Sequence, residues 1–294
     1  MAKPDLLLIG QWYEWDLEPL NAEFNVTAIS ADTDPASLDA DFRAGVRFAT
    51  LKGHAGLDGA FMDHFPKLEL IANYGVGYDA IDVVAAAGRG IAVTNTPDVL
   101  SADVADLAVL MLLSYLRQSV GAEAWLRSGQ WGRDGDYPLQ RKMSGGRAGI
   151  VGLGRIGRAI ADRMAAFEMP ISYYSRAPKP DVPETWSYYG SPQELAANVD
   201  FLVVALSGGP DTAGLVDAAT LRALGPNGVL VNISRGSTID EPALLDALEN
   251  RQIGGAALDV FMNDPNPHPR FITLDHLLSL PHFPSPTHET LRPL

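Results

Sequence analysis

The chain contains no cysteine among its 294 residues. Disulfides, thiolate nucleophiles and cysteine-held metals are thereby excluded, and a reducing compartment is compatible with the sequence. Basic residues are scarce: 22 Lys and Arg stand against 36 Asp and Glu, a formal charge of -14. Residues 1–99 hold 6 of those basic residues and 15 of the acidic ones, so the N-terminal third is the more acidic part. No basic patch is visible, so nucleic acid is not an expected partner, and the acidity reads as a solvated surface. Long hydrophobic runs are missing too. The most apolar stretch, "VADLAVLMLLSYL", is interrupted by Asp106 and falls short of the ~18 uninterrupted residues a membrane span needs. The N-terminal "LLLIG" is too short for the apolar region of a signal peptide. A soluble, cytoplasmic protein without membrane contact is expected. No His/Asp/Glu cluster shows ligand spacing, so no metal is expected either.

What is present is a regular alternation. Apolar content of 47% with 20% charged residues is globular, and the length favours two domains over one core. Short apolar runs at 6–10, 26–30, 46–51, 68–74 and 91–95 form a first strand series. A second series occupies 148–153, 171–175, 201–206, 228–234, 255–260 and 277–280, with helical patterns between. Such alternation predicts an α/β protein with parallel sheets covered by helices on both faces. Two series predict two doubly wound domains. Between them, "SADVADLAVLMLLSYLRQ" (101–118) predicts a long helix whose broad apolar side suits a domain or subunit interface. The Gly-, Pro- and Trp-rich segment 128–147 reads as a surface loop.

The strongest motif is "AGIVGLGRIGRAIADRMAAF". Gly152, Gly154 and Gly157 form G-x-G-x-x-G directly after an apolar strand and before an amphipathic helix. The first glycine permits the tight turn, the second lets backbone approach a pyrophosphate, and the third allows close strand–helix packing. A turn that merely packs gains nothing from three glycines in this register. With Leu153, Arg155 and Ile156 between them, these residues are the expected dinucleotide cradle.

The next strand, "ISYYSRAPKP", ends in Ser175-Arg176, 23 residues after Gly152, and offers no carboxylate. NAD sites place an acid there to grip the ribose hydroxyls, whereas an Arg suits the extra phosphate of NADP. Ser175 is expected to donate to a phosphate oxygen and Arg176 to pair with it, alone or with Lys179. The cofactor expected is therefore NADP(H), preferred over NAD(H).

Three further polar groups follow strands, where open α/β sheets place ligands. They are Arg235 in "VNISRGSTIDE", Asp264 in "LDVFMNDP" and His282 in "LLSLPHFPSPTHET". A cationic fork, an acid and an imidazole suit hydride chemistry on a 2-oxo acid. Arg235 would bind the carboxylate and polarise the carbonyl, His282 would protonate its oxygen, and Asp264 would orient that imidazole. The other histidines, His54, His64, His268, His276 and His288, fall in loops or at helix ends and read as solvated. His54 and His288 are secondary candidates for the substrate pocket's border. Trp131 and Tyr74 read as packing aromatics, with substrate contact as the alternative.

In these segments, together with "NYGVGYDAID" (73–82) and "AALDVF" (256–261), the chain resembles the D-isomer-specific 2-hydroxyacid dehydrogenases, in particular their glyoxylate/hydroxypyruvate reductase branch. The resemblance spans residues 46–290. It implies two Rossmann-like domains with an active-site cleft between them that closes to exclude water. The substrate-binding, flavodoxin-like domain would comprise 1–98 plus 284–294, and the NADP-binding domain 99–283. It also implies a homodimer formed through the cofactor domain and the long helix. Carried over by position, Arg235, Asp264 and His282 are the catalytic residues. Val76 and Gly77 receive the substrate carboxylate together with Arg235 and His282. Asp259 hydrogen-bonds the nicotinamide amide, Leu206 and Ile233 line the cofactor cleft, and Thr212 lies near the phosphates.

The activity implied is reduction of glyoxylate or hydroxypyruvate to the D-2-hydroxy acid. A bulkier acid such as hydroxyphenylpyruvate is the alternative within the class. A non-catalytic dinucleotide sensor on the same fold is the alternative outside it, disfavoured by the complete Arg235/Asp264/His282 set. The chain departs from the family's pattern in three ways. Asp264 replaces the usual Glu, so its contact to His282 is expected to be longer or shifted. Pro284 and Pro286 replace small residues, which stiffens that loop. The family's sequences usually continue with a helix past the position of Leu294.

Overall fold

The computed structural model describes residues 3–53, 55–283 and 287–291. The chain divides into two compact units, Met1–Leu100 with Thr287–Leu294 and Ser101–Pro286.

The smaller unit is built on a five-stranded parallel sheet. Its strands are β1 (Asp5–Ile9), β2 (Asn25–Ile29), β3 (Phe48–Leu51), β4 (Leu70–Asn73) and β5 (Ala92–Thr94). Their order is β2-β1-β3-β4-β5. β1 is an interior strand, paired on both sides, which is why it can carry the apolar run "LLLI": Leu7, Leu8 and Ile9 are all buried. Leu7 and Ile9 form the core with Val46, Leu51, Leu57, Phe65 and Ile71, each side chain contributing roughly 1.5–3 kcal/mol. Three helices here start on an aspartate. Asp39, Asp58 and Asp82 accept from the backbone N–H of Phe42, Phe61 and Ala85 at 2.8–2.9 Å. The N-terminal acidity is thus not only solvated surface, since part of it satisfies helix ends and complements their dipoles.

The larger unit carries a seven-stranded sheet, parallel at every pairing. It contains β6 (Ala148–Val151), β7 (Ile171–Tyr174), β8 (Ser187–Tyr189), β9 (Phe201–Val204), β10 (Val229–Asn232), β11 (Gly255–Leu258) and β12 (Leu277–Ser279). The order β12-β11-β10-β9-β6-β7-β8 reverses direction between β6 and β9. β6, β9, β10 and β11 are buried at every position, as strands covered on both faces must be.

Three features differ from the sequence-based expectation. β8 lies at the exposed edge, and its three residues carry no apolar run to announce it. The helix Ser101–Arg117 buries Val104, Leu107, Ala108, Met111 and Leu112. It lies within its own unit, where the Tyr115 hydroxyl donates to the Gly254 carbonyl at 2.7 Å and Arg163 pairs with Asp106. Its apolar side therefore fills a core. Within 128–147, Gln130–Asp134 forms a short helix. There Trp131 is 60% exposed and bonds Asp136.

No single helix among the described residues is long and apolar enough to cross a membrane.

Candidate active site

Packing distinguishes the three glycines after β6. Gly152 sits at φ +99, and a Cβ there would meet the Ala205 carbonyl oxygen at 2.6 Å. A Cβ on Gly157 would lie 2.0 Å from the Gly152 carbonyl oxygen. The chain itself requires both, one for its left-handed backbone and one for the approach of helix to strand. Gly154 is different: a Cβ there would meet no heavy atom within 4 Å. It is also the cap residue of the helix Arg155–Ala165 and supplies no side-chain acceptor to that helix's first turn. Packing within the chain therefore does not require glycine at 154, and the adjoining helix N-terminus is open to an anion. Leu153 is buried, Ile156 half-buried and Arg155 exposed.

β7 leads into a turn that folds back on itself. The Tyr173 hydroxyl accepts from Lys179 N at 3.0 Å, and the Ser175 hydroxyl donates to the Ala177 carbonyl at 2.6 Å. The Ser175 proton expected on a phosphate is thus used locally, because the turn needs it. Arg176 and Lys179 are both exposed on the same turn. Across the β6/β9 reversal, Leu206 packs where a Gly152 side chain would be. The Thr212 hydroxyl donates to the Ser207 carbonyl at 2.7 Å, and Ile233 is buried just past β10.

Arg235, Asp259, Asp264 and His282 follow three adjacent strands, β10, β11 and β12. His282 Nδ1 lies 2.9 Å from Asp264 Oδ2, with both side chains under one-fifth exposed. The shorter acid was expected to lengthen or shift this contact; its length is that of an ordinary hydrogen bond. Asp264 Oδ1 accepts from Phe261 N at 3.1 Å, which turns the carboxylate back toward the imidazole. An Nδ1 held by an acid directs Nε2 away from it, toward whatever needs a proton.

His282 itself has φ +51, an uncommon conformation for a side-chain-bearing residue. The restraint comes from Asp259, whose two oxygens accept from Phe283 N at 2.8 and 3.0 Å. Asp259 is fully buried, and burial pushes its carboxyl up to about 6 against the pull of the Phe283 amide and His282. Two bonds leave a carboxylate further acceptor capacity.

Several residues that sequence reasoning passed over set this geometry. The Arg235 carbonyl accepts from Asn232 Nδ2 (3.0 Å), Thr238 Oγ1 (2.6 Å) and Thr238 N (3.2 Å). Ser234 bonds both Asn232 Oδ1 and Thr238 Oγ1, and Asn232, Ser234 and Thr238 are all buried. A buried network of this kind holds the backbone beneath Arg235 in one conformation. Arg235 Nη1 donates to the Ser234 carbonyl at 2.8 Å. Next to it, a Cβ on Gly236 would lie 2.0 Å from the Phe261 carbonyl carbon, while Glu241 accepts from Met262 N at 2.9 Å. The turn bearing Arg235 is thereby fastened to the loop bearing Asp264. The signal was available: polar residues inside an otherwise apolar strand end need partners.

In the smaller unit, Val76 and Gly77 lie in a loop past β4. Asn73 Nδ2 donates to the Gly75 and Gly77 carbonyls, each at 2.9 Å, and Asn95 Nδ2 donates to the Val76 carbonyl at 2.9 Å. Thr96 N adds a bond to the Gly75 carbonyl. In a trans peptide the N–H points opposite to the C=O. Turning these carbonyls into the fold therefore aims the N–H groups of Val76, Gly77 and Tyr78 the other way. Asn73 and Asn95 thus set the conformation of this loop.

Of the other histidines, His276 is buried rather than solvated. Its Nε2 lies 2.9 Å from the Leu248 carbonyl and its Nδ1 2.9 Å from Asp275, so it ties helix to strand. His268 caps a short helix through Arg270 N, and exposed His288 lies against Trp15. His54, Pro284 and Pro286 fall outside the described residues. No group of three potential metal ligands is found among the described residues.

Comparison with known proteins shows the family. Residues 109–283 match the profile of the D-isomer specific 2-hydroxyacid dehydrogenase, NAD binding domain. The chain is 42% identical over 282 residues to the hydroxyphenylpyruvate reductase of Plectranthus scutellarioides, covering 96% of this chain and 88% of that protein. A 2-hydroxyacid dehydrogenase from Ketogulonicigenium vulgare Y25 superposes with a TM-score of 0.92 at 47% identity, covering 99% of this chain and 92% of its own. An NADPH-dependent glyoxylate/hydroxypyruvate reductase from Sinorhizobium meliloti, solved with NADP and malonate, gives 0.93 at 43% identity, with coverage of 99% and 90%.

Proposed function

Because the chain belongs to the D-isomer-specific 2-hydroxyacid dehydrogenase family, we propose that it is an NADPH-dependent reductase of small 2-oxo acids such as glyoxylate and hydroxypyruvate. The larger unit is read as the cofactor-binding domain and the smaller as the substrate-binding domain. When bound, NADPH supplies the hydride. The residues present fit that cofactor. Gly154 leaves room beside an uncapped helix N-terminus, and the turn after β7 offers Arg176 and Lys179 without a carboxylate.

The side chains then act on the substrate. The amides of Val76 and Gly77 and the guanidinium of Arg235 bind the 2-oxo acid's carboxylate, and Arg235 polarises the carbonyl. His282 Nε2 delivers a proton to the carbonyl oxygen as hydride arrives at carbon. Asp264 keeps Nδ1 occupied and stabilises the imidazolium before transfer. Asp259 holds the His282–Phe283 backbone and keeps lone pairs for the nicotinamide amide. The observation that carries the reading is the 2.9 Å His282–Asp264 pair.

A bulkier substrate such as hydroxyphenylpyruvate is the second reading, favoured by the similarity to the Plectranthus enzyme. The proposal includes a homodimer and a cytoplasmic location. It is tested by following NADPH and NADH oxidation with glyoxylate, hydroxypyruvate and hydroxyphenylpyruvate. Tight NADPH binding without turnover of any acid would leave only a dinucleotide sensor.

A further inference from the structure

Three buried side-chain atoms among the described residues lack a hydrogen-bond partner: Trp12 Nε1, Lys52 Nζ and Thr96 Oγ1. Each lies in the smaller unit, past the C-terminal end of a strand: β1, β3 and β5. Buried polar groups are normally satisfied, and Trp12 and Lys52 lie side by side, so this pair calls for an acceptor. Trp12 and Lys52 also flank the place where the strand order turns back, between β1 and β3. Open parallel sheets receive ligands in the crevice outside that point.

The chain is built tightly here. Gly10, at φ +98, would place a Cβ 2.0 Å from the Lys52 carbonyl oxygen, so only glycine lets these strand ends cross. Lys52 N donates to the Ile9 carbonyl and Tyr74 N to the Leu51 carbonyl, aligning the ends of β1, β3 and β4. The Lys52 ammonium lies 3.5, 4.7 and 5.7 Å from the ring centroids of Tyr13, Tyr74 and Trp12. Asp16 Oδ2 is 3.5 Å from it, beyond an ordinary hydrogen bond. Burial pushes the Lys52 amine down, and Asp16 offsets that only in part. Tyr13 is the exposed wall of this cage, whereas Trp12 and Tyr74 are half-buried.

Charge selects the ligand. Lys52 and Asp16 cancel formally, so a second anion would find no net positive charge. A neutral oxygen acceptor would satisfy both donors, and its carbon chain would lie on the rings. We propose that Lys52 and Trp12 are specificity-determining donors that select 2-oxo acids with a hydroxylated tail. The tail's oxygens accept from Lys52 Nζ and Trp12 Nε1 as Tyr13 turns aside. The assignment rests on the Val76–Gly77 loop, just beyond Tyr74 in the chain, as the seat of the 2-oxo acid head.

The test compares 2-ketogluconate with 2-oxohexanoate, acids of equal chain length with and without hydroxyls, and uses glyoxylate as the tail-free reference. In Lys52→Met, the kcat/KM ratio of 2-ketogluconate to glyoxylate should fall roughly 10- to 100-fold, mainly through KM. Trp12→Phe keeps the aromatic ring and removes one N–H, so it should lower the same ratio by about three- to tenfold. It decides the matter alone if Lys52→Met does not fold. Equal losses for all three acids overturn the assignment. So does a wild-type preference for 2-oxohexanoate, or for 2-oxoglutarate with its second anion, over 2-ketogluconate. Calorimetric titration of the hydroxylated and plain acids, with and without oxidised NADP, needs no turnover. If no acid is reduced but the hydroxyl-dependent binding persists and is lost in the variants, the reductase reading fails and this assignment stands. If that binding difference is absent, the assignment fails whether or not the protein turns over.

Discussion

In the larger unit, the polar groups past the strand ends are side chains: Arg235 after β10, Asp259 after β11, and Asp264 and His282 beyond. In the smaller unit, the loop past β4 offers backbone, its carbonyls drawn inward by Asn73 and Asn95 so that its amides face away. A side chain that reacts must be of one chemical type, so its loss removes a function outright. An amide is present in every residue but proline, so that loop depends on the residues that orient it. The comparison predicts different failures for the two regions.

The largest effect is expected from His282→Asn, which keeps a polar group but loses the acid. The rate constant kcat should fall about 10²- to 10⁴-fold. NADPH affinity, measured by fluorescence titration, should remain. A smaller loss than that seen on disturbing Asn73 would break the comparison.

Next comes Asp259, where the side-chain region has to bury a charge. Its folded value of about 6 exceeds the unfolded one, so the folded state holds a proton that the unfolded state releases between roughly pH 4 and 6. Its stability contribution is therefore full below the unfolded value and is lost as pH rises through about 6. Asp259→Asn removes that dependence. The variant's stability relative to wild type should fall by roughly 2–3 kcal/mol from pH 7.5 to pH 4, read from denaturant unfolding. An unchanged difference across that range would mean that Asp259 is not buried as a charge.

Arg176→Asp should weaken NADPH by about ten- to a hundredfold, the worth of one charge-assisted hydrogen bond, and NADH far less. Equal losses for both cofactors would remove Arg176 as the phosphate reader. Smallest is Asn73→Ala, which frees the Gly75 and Gly77 carbonyls. It should raise the KM for glyoxylate by about tenfold at nearly constant kcat, because uniform binding is lost rather than transition-state stabilisation. A fall in kcat instead would sharpen the comparison by showing that the loop also takes part in the chemical step.

Much of this was legible in the residues. The short apolar runs of both series became strands, and those covered on both faces, β6, β9, β10 and β11, are buried throughout. β8 was not legible because an edge strand of three residues needs no apolar signal. The glycine motif was legible, but which of its glycines the chain's own packing requires was not. Gly152 and Gly157 are needed for packing and Gly154 is not, and that depends on what each Cβ would meet.

The sequence alone determined every strand but β8 and which side chains follow them, because apolar run length and residue type are local properties. It also disclosed the missing acid after β7, since that position is counted along the chain from Gly152. Tertiary structure decided the rest. It brought Asp264 to 2.9 Å from His282 although its side chain is one methylene short. It also buried Asp259 until its carboxyl rose to about 6, and left Lys52 among aromatic rings without a hydrogen bond. Distance, burial and satisfaction are sums over residues far apart in the chain, and only the folded arrangement performs that sum.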